Sequence, residues 1–593
     1  MSDKIVRIGG ASAFINDSSI AAPQLIAEGV DYLVFDYLAE VTMTFLARAR
    51  RANPNAGFAA DFVDVAMREN LAEIVRRKIK VVANAGGQNP QACARALQAL
   101  CRELGVSPRI AVVEGDDLAD RASEFARRGV VEMYSGAPWP GQVLSINAYL
   151  GAFPIAAALA AGADIVITGR VVDSALTLAA LIVEFGWTAY DLDRLAQGSL
   201  AGHIIECGAQ ATGGLFTDWR ETPDWANIGY PIIECFADGR FIVTKPQATG
   251  GLVSPATVGE QLLYELGDPS AYLLPDVACD FRHVRLRQLA NDRVEVTGAR
   301  GRAPSGRYKA CLTYQDGWRA IAVMPVIGID AAAKARRQAD AVLTRTRAMF
   351  RARNLGDYRR TLIEILGAEA SYGAHARAGA TREVVCKIGV EHEERAGVEL
   401  FIREYASPTT SMSPGSTGWF AGVPQPSPVV GVYSFLVDRC EAPARITVNG
   451  ATSVLEADGP VGDTSGLSGE AGPTAVLSED TATVPLIRLA YARSGDKGDT
   501  ANIGVIARRP EYLPYLRANL TAETVGAHMA HLFEPGEAAR IERFELPGFD
   551  ALNFLLHGAL GGGGAGSLRA DPLAKGLAQQ LLDMPVRVPA SLL

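Results

Sequence analysis

The run Arg493-Ser494-Gly495-Asp496-Lys497-Gly498-Asp499-Thr500-Ala501-Asn502 crowds four charged side chains and Asn502 into ten positions. Its glycines let the backbone turn sharply and come close to a ligand. A plain surface turn needs one or two such residues, so the spacing predicts a functional loop. Downstream, His557-Gly558-Ala559-Leu560-Gly561-Gly562-Gly563-Gly564-Ala565-Gly566-Ser567-Leu568-Arg569 sets a glycine run before Ser567 and Arg569, with Lys575 beyond. Unblocked backbone N–H groups in such a run can receive an anion, although a glycine run can also be a loop with no ligand. Ser494, Asp496, Lys497, Asp499, Asn502, Ser567 and Arg569 are therefore predicted to line one ligand-binding patch.

A second set of residues could carry catalysis. In His203-Ile204-Ile205-Glu206-Cys207-Gly208 a thiol stands beside a carboxylate and an imidazole. Cys207 is either a nucleophile activated by Glu206 or His203, or an ordinary buried thiol. Lys245 precedes the turn Thr249-Gly250-Gly251, where a lysine meets a phosphate or carboxylate or simply ends a strand in solvent. His528 and His531 sit three apart on a predicted helix and read as a structural pair.

The elements that must position these groups alternate along residues 1–195. Ile5 to Gly9, Tyr32 to Tyr37, Val81 to Ala85, Ile110 to Glu114 and Ile165 to Gly169 are short apolar runs separated by amphipathic ones, the pattern of a parallel sheet flanked by helices. Such sheets bind ligands at the carboxyl ends of their strands. Gly10, Ser12, Asn16, Asp17, Asp36, Glu40, Asn84, Gln88, Asn89, Glu114, Asp116, Arg170 and Asp173 follow those ends, some as helix caps. Asp36, Asn84, Arg170, Asp173, Glu206, Cys207 and Lys245 are the catalytic candidates, predicted to converge on one cleft. The Asp116-Asp117 pair is predicted to cap a helix from Asp117 to Arg128.

Residues 196–440 switch to an α+β pattern, with strands at Ile232 to Phe236, Arg240 to Thr244, Val277 to Leu286, Arg293 to Gly298 and Tyr308 to Tyr314. One long helix, Ala331 to Asn354, interrupts them. This part completes an amino-terminal body spanning 1–440. Residues 441–483 open on a short β segment and continue as a linker rich in Gly, Ser, Thr and Pro, and 484–593 form a small terminal domain.

The twelve residues Arg493 to Gly504, with Gly9-Gly10-Ala11-Ser12, Asn84-Ala85-Gly86-Gly87-Gln88-Asn89-Pro90 and Glu206-Cys207-Gly208-Ala209-Gln210-Ala211-Thr212-Gly213-Gly214, resemble the acyclic terpene utilization protein AtuA family over essentially the whole chain. The resemblance implies a ferredoxin-like fold for the terminal domain. It also implies a place in bacterial catabolism of acyclic terpenes and branched acids as acyl-CoA thioesters.

Composition narrows the classes. The 593 residues are 48% apolar and 21% charged, ordinary for a globular protein of several domains. A net charge of −9 with no basic stripe argues against nucleic acid as a partner. The longest apolar stretch, Ala148 to Ala163, is broken by Gly151 and Pro154 and is too short to span a membrane. Eight scattered cysteines without CxxC spacing suit free thiols in a reducing cytoplasm and give no metal site. Gly9-Gly10-Ala11-Ser12 is not a dinucleotide fingerprint, so no cofactor is expected beyond coenzyme A as part of a substrate. The expectation is a cytoplasmic homo-oligomeric enzyme acting on an acyl-CoA or carboxylate by lyase or hydratase chemistry. A non-catalytic binding or assembly subunit of an acyl-CoA-processing complex is the alternative.

Overall fold

Tyr32–Phe35 and Ile165–Thr168 are buried on both faces, as strands covered by helices on either side must be. The computed structural model describes residues 4–593 except 419–420, 457, 468–471, 476–480, 535 and 537, together with the side chain of residue 565. The opening Met1-Ser2-Asp3 and parts of the 441–483 stretch lie outside the described residues.

Ile5–Ser12, Tyr32–Phe35, Lys80–Ala83, Ile165–Thr168 and Ile110–Glu114 run parallel in that spatial order. Leu176, Leu178, Leu200 and Ile204 cover one face, and Leu25, Phe62, Leu71 and Leu97 the other. Antiparallel hairpins extend the sheet at both edges. Ile232–Phe236 pairs with Ile5–Ser12, followed by Phe241–Thr244, Arg293–Thr297 and Arg285–Ala290. On the far side Ala444–Val448 pairs with Ile110–Glu114, so the β segment that opens the 441–483 stretch belongs to the main sheet.

Local chemistry sets the boundaries. Asn89 caps Pro90–Leu104 by accepting from the Ala92 amide, Pro90 starts the helix, and Gly105 ends it in the left-handed region. Ser254 and Thr257 form a capping box for Pro255–Leu263. Two sequence expectations change. The helix after Asp116-Asp117 begins only at Ala122, because Asp117 turns back to the Ala119 amide while Asp116 is buried and engaged elsewhere. The strand expected from Val277 to Leu286 divides into Ala278–Asp280 and Arg285–Ala290, which join different sheets.

A second sheet is built on the 21-residue strand Arg307–Ile327, flanked by Glu383–His392 and Ser427–Asp438. Helix Ala331–Ala352 covers one face of it. The terminal domain is an antiparallel sheet ordered Ala490–Lys497, Thr500–Ala507, Ala551–His557, Arg540–Leu546. Leu516 and Leu581 from its helices pack on Ile503, Val505 and Phe554. It docks through Asn502 and Asn553, which grip the Leu263–Gly267 backbone, and through a bidentate Arg508–Asp218 pair. Among the described residues no helix is long and apolar enough to cross a membrane.

Candidate functional site

The carboxyl edge of the parallel strands gathers a buried polar layer. Asn84, fully buried, accepts from the Tyr37 amide at 2.8 Å and donates to Asp36 Oδ1 at 2.6 Å, which fixes its orientation. Asp36 is pushed well above the usual carboxylate range, first by desolvation and then by the charge of Asp173. Arg170 follows Ile165–Thr168. Its amide donates to Asp116 Oδ2 at 2.8 Å, and Asn147, itself held by Gln88, donates to the same oxygen. The approach requires Gly169, where a Cβ would come within 2.3 Å of Asp116 Oδ1. Burial raises Asp116 to about 7.

The Arg170 guanidinium donates to the Leu38 carbonyl and Asp173 Oδ1, both at 2.8 Å, and lies 4.3 Å from the centre of the Tyr149 ring. Its Nε is buried with no hydrogen-bond partner among the described residues. Tyr149 donates to Glu40 Oε1 at 2.5 Å, and Lys309 lies 3.7 Å from the same oxygen. Desolvation opposes ionisation of Glu40, but Lys309, Arg170 and Tyr149 together hold it down to about 2. Lys309, Asp173 and Glu40 keep 29%, 34% and 35% of their side-chain surface open. Protein nevertheless surrounds Glu40 and Lys309, so these side chains line a cleft.

Helix Leu192–Ile205 delivers the next groups. His203 Nε2 lies 3.1 Å from the Leu262 carbonyl and must donate to it, so in the neutral ring Nδ1 is the acceptor. Desolvation lowers the imidazole and favours that neutral form. Glu206 Oε1 sits 2.9 Å from Nδ1 and therefore carries the proton of this hydrogen bond. Burial raises Glu206 well above its usual range, and Asp173 and Glu265 add to the effect. The environment thus favours the neutral form of this carboxyl.

Glu265 comes from the turn after Pro255–Leu263 and has φ +56°, a left-handed backbone strained for a residue with a side chain. The terminal domain adds Asp496 and Lys497 from the tip of the Ala490–Lys497 hairpin. Asp496 is raised to about 7, first by burial and then by Glu265. Lys497 donates to the Glu265 carbonyl at 3.1 Å and lies 5.3 Å from the centre of the Tyr272 ring. Lys575 reaches the Tyr264 hydroxyl. The Tyr272 ring, 5.3 Å from Lys497, lies 5.6 Å from the His203 ring, which places both domains on one site.

Cys207 shares this cleft, but desolvation followed by Glu206 and Glu265 pushes its thiol well above the ordinary range. It is no activated nucleophile. Iodoacetamide at pH 7.5 is expected to alkylate exposed Cys440 well before Cys207, and peptide mapping that finds Cys207 modified first would restore the thiolate reading.

Several candidates stand apart. Lys245 is buried on the same sheet edge, but its ammonium meets the Thr249 carbonyl at 3.0 Å and Asp292 at 3.2 Å in a separate cluster. Ser494 is internal, bonded to the Ala574 carbonyl and the Ala578 amide. Asp499 accepts from the amides of Leu560 and Gly562, so the protein's own carboxylate engages glycine-loop donors proposed for an external anion. Ser567 accepts from the Arg569 amide, and Arg569 donates to the Leu532 carbonyl. The glycine loop is also clamped from outside, with Arg360 donating to the Gly561 and Gly566 carbonyls. Asn502 is a docking residue rather than a cleft residue. Glu114 faces Gln91. Two surface hollows of about 350 and 340 Å³, beside Tyr190–Arg194 and His375–Arg377, contain none of the converging groups. Among the described residues no cluster of three or more His, Cys, Asp or Glu is placed to hold a metal ion.

The family model for acyclic terpene utilisation family protein AtuA matches residues 6–448, and the AtuA ferredoxin-like domain matches 484–587. The chain belongs to the AtuA family. No curated protein and no solved structure matches it. Membership gives this AtuA protein a catabolic role in acyclic terpene utilisation and a ferredoxin-like terminal domain. Tyr149, Lys309, Tyr264, Glu265 and Tyr272 of its cleft lie outside the motifs that the sequence displays. Lys309 lies inside an apolar strand, where an alternating pattern hides a functional cation. Glu265 gave a weak signal only, as a charged residue two positions before Gly267 in a helix-ending turn.

Proposed function

We propose that this AtuA protein is a cytoplasmic enzyme acting on a branched acyl-CoA or related carboxylate, by lyase or hydratase chemistry next to a carbonyl. The supporting observation is the hydrogen bond between Glu206 and His203, with burial pushing the carboxyl up and the imidazole down, beside the Asp36–Asp173 carboxyls and Arg170. Adding or removing water, or breaking a carbon–carbon bond beside a carbonyl, needs one group to give a proton and another to take one. Glu206 serves as the donor. Asp36, whose carboxyl is pushed up by burial and by the charge of Asp173, exchanges the second proton. Arg170, with Lys309 behind Tyr149, holds the substrate carboxylate or the oxygen on which charge develops.

The test is a panel of methyl-branched enoyl-CoA and 3-hydroxyacyl-CoA thioesters incubated with purified protein and followed by liquid chromatography and mass spectrometry. Hydration, dehydration or cleavage of one class is expected. No turnover, with co-migration alongside a carboxylase or hydratase, would assign the chain to a non-catalytic subunit.

A further inference from the structure

We propose that Lys497 is an imine-forming lysine, whose Nζ condenses with a ketone or aldehyde carbonyl of the substrate. The proposal rests on the reading of the cleft as catalytic and narrows its substrate class to an oxo-acyl compound.

The first argument is placement. The hairpin Ala490–Lys497 and Thr500–Ala507 ends against the other domain, where Lys497 lies 5.3 Å from the Tyr272 ring that adjoins His203 at 5.6 Å. The side chain remains exposed while Glu265, Lys309, Glu206 and Glu40 act on it electrostatically. Its ammonium meets only the Glu265 carbonyl and the Tyr272 ring, and among the described residues no carboxylate oxygen lies within 4.0 Å. Other buried or cleft lysines are tied down. Lys309 faces Glu40, Lys575 the Tyr264 hydroxyl, Lys387 pairs with Glu364, and Lys245 pairs with Asp292.

The second argument is reactivity. An amine attacks a carbonyl only when unprotonated, and a lysine ringed by protein and held near another cation loses its proton more readily even while its side chain stays open to the cleft. Desolvation lowers Lys497, and the charge of Lys309 lowers it further, against the opposing pull of Glu265. A lysine meant only to grip an anion would gain nothing from this arrangement.

The third argument is proton supply. Attack by the Nζ lone pair moves the carbonyl π electrons to oxygen, and the Glu206 proton makes the carbinolamine hydroxyl. The nitrogen returns one proton to the Glu206 carboxylate. Glu206 then protonates the departing hydroxyl, water leaves, and the C=N bond forms with no oxidant or reductant. The protonated imine can accept the electron pair of a breaking bond at the adjacent carbon, which is the step lyase chemistry requires. A thioester carbonyl does not suit this role, because attack there expels the thiol and leaves an inert amide. The electrophile is therefore a separate oxo group.

Full-length protein incubated with 4-oxopentanoate and cyanoborohydride at pH 7 tests the proposal. A single adduct, of the probe's mass less one oxygen, is expected on Lys497 by peptide mapping, and Lys497→Arg should abolish it with the melting temperature nearly unchanged. Lys309→Met should slow trapping at pH 7, since it removes a neighbouring charge that favours the free amine. As a readout independent of probe entry, 1-fluoro-2,4-dinitrobenzene should label Lys497 faster than exposed Lys4 and Lys78. Adducts confined to lysines other than Lys497, or labelling of Lys497 no faster than that of Lys4 and Lys78, overturns the proposal. Turnover of the thioester panel without an adduct defeats the imine alone. An adduct without turnover of any panel member counts against the acyl-CoA reading and leaves the imine standing.

Discussion

Glu206→Gln is expected to lower kcat/KM by about 10²–10⁴-fold, the usual weight of a positioned proton donor. Glutamine keeps the length of the side chain and can still donate to His203 Nδ1, but it has no proton to release. Asp36→Asn should act on the same scale, because an amide oxygen can still accept from Asn84 and from the Leu38 amide. The pH profile gives the sign. Glu206 works as the acid, so wild-type activity falls as pH rises through its elevated pKa, and that limb is absent in Glu206→Gln. Stability falls in the same direction of pH. Both carboxyls titrate higher in the folded chain than in the unfolded one, so the folded state binds more protons above the unfolded pKa near 4. Their contribution is fully present below that value and is lost as pH rises through the folded pKa. Each amide variant should therefore melt higher than wild type at pH 8 while turning over far less. Reduced activity accompanied by a lower melting temperature at pH 8 would instead mark these residues as structural.

How much of this was legible in the sequence depends on where each partner lies along the chain. Tyr32–Phe35 and Ile165–Thr168 announced themselves as continuous apolar runs, and parallel topology then dictates that Asp36, Asn84 and Arg170 share an edge. Asp496 and Lys497 were visible as excess charge in a turn. Lys245 looked similar, yet Asp292 in a later hairpin neutralises it, and no local pattern encodes that pairing. The glycine run likewise suggested an empty anion nest because Asp499, which engages it, lies 61 residues before Leu560. Cys207 has the neighbours of an activated thiol. Burial and the carboxylates around it, features of the tertiary structure, reverse the expected effect on its pKa. Composition suggested what could react, and folding decided which charges remain uncompensated.

The other large effect is expected at the joint between the domains. Asn502 is 1% exposed; it donates to the Leu263 carbonyl at 2.7 Å and accepts from the Glu265 amide at 2.9 Å. Asn553 fully buries its side chain beside it and donates to the Leu266 and Gly267 carbonyls. Together they support the turn that forces Glu265 to φ +56° and sets the carbonyl to which Lys497 donates. Asn502→Ala leaves a buried donor and a buried acceptor unpaired, at about 1–3 kcal/mol each. The loss falls on the joint more than on the core of either domain, whose apolar clusters are untouched. Limited proteolysis should then cut within 441–483 at least several times faster, by the order expected from a loss of about 2–4 kcal/mol in docking. Activity should fall with it, because Lys497 and Asp496 leave the cleft when the hairpin tip withdraws. Arg569→Ala is the control, since it removes a bond to the Leu532 carbonyl within the terminal domain and should lower that domain's melting temperature while sparing activity per folded molecule. Equal turnover and equal proteolysis in Asn502→Ala would show that the terminal domain docks without this clamp and that its hairpin is positioned by Arg508–Asp218 and Arg360 instead.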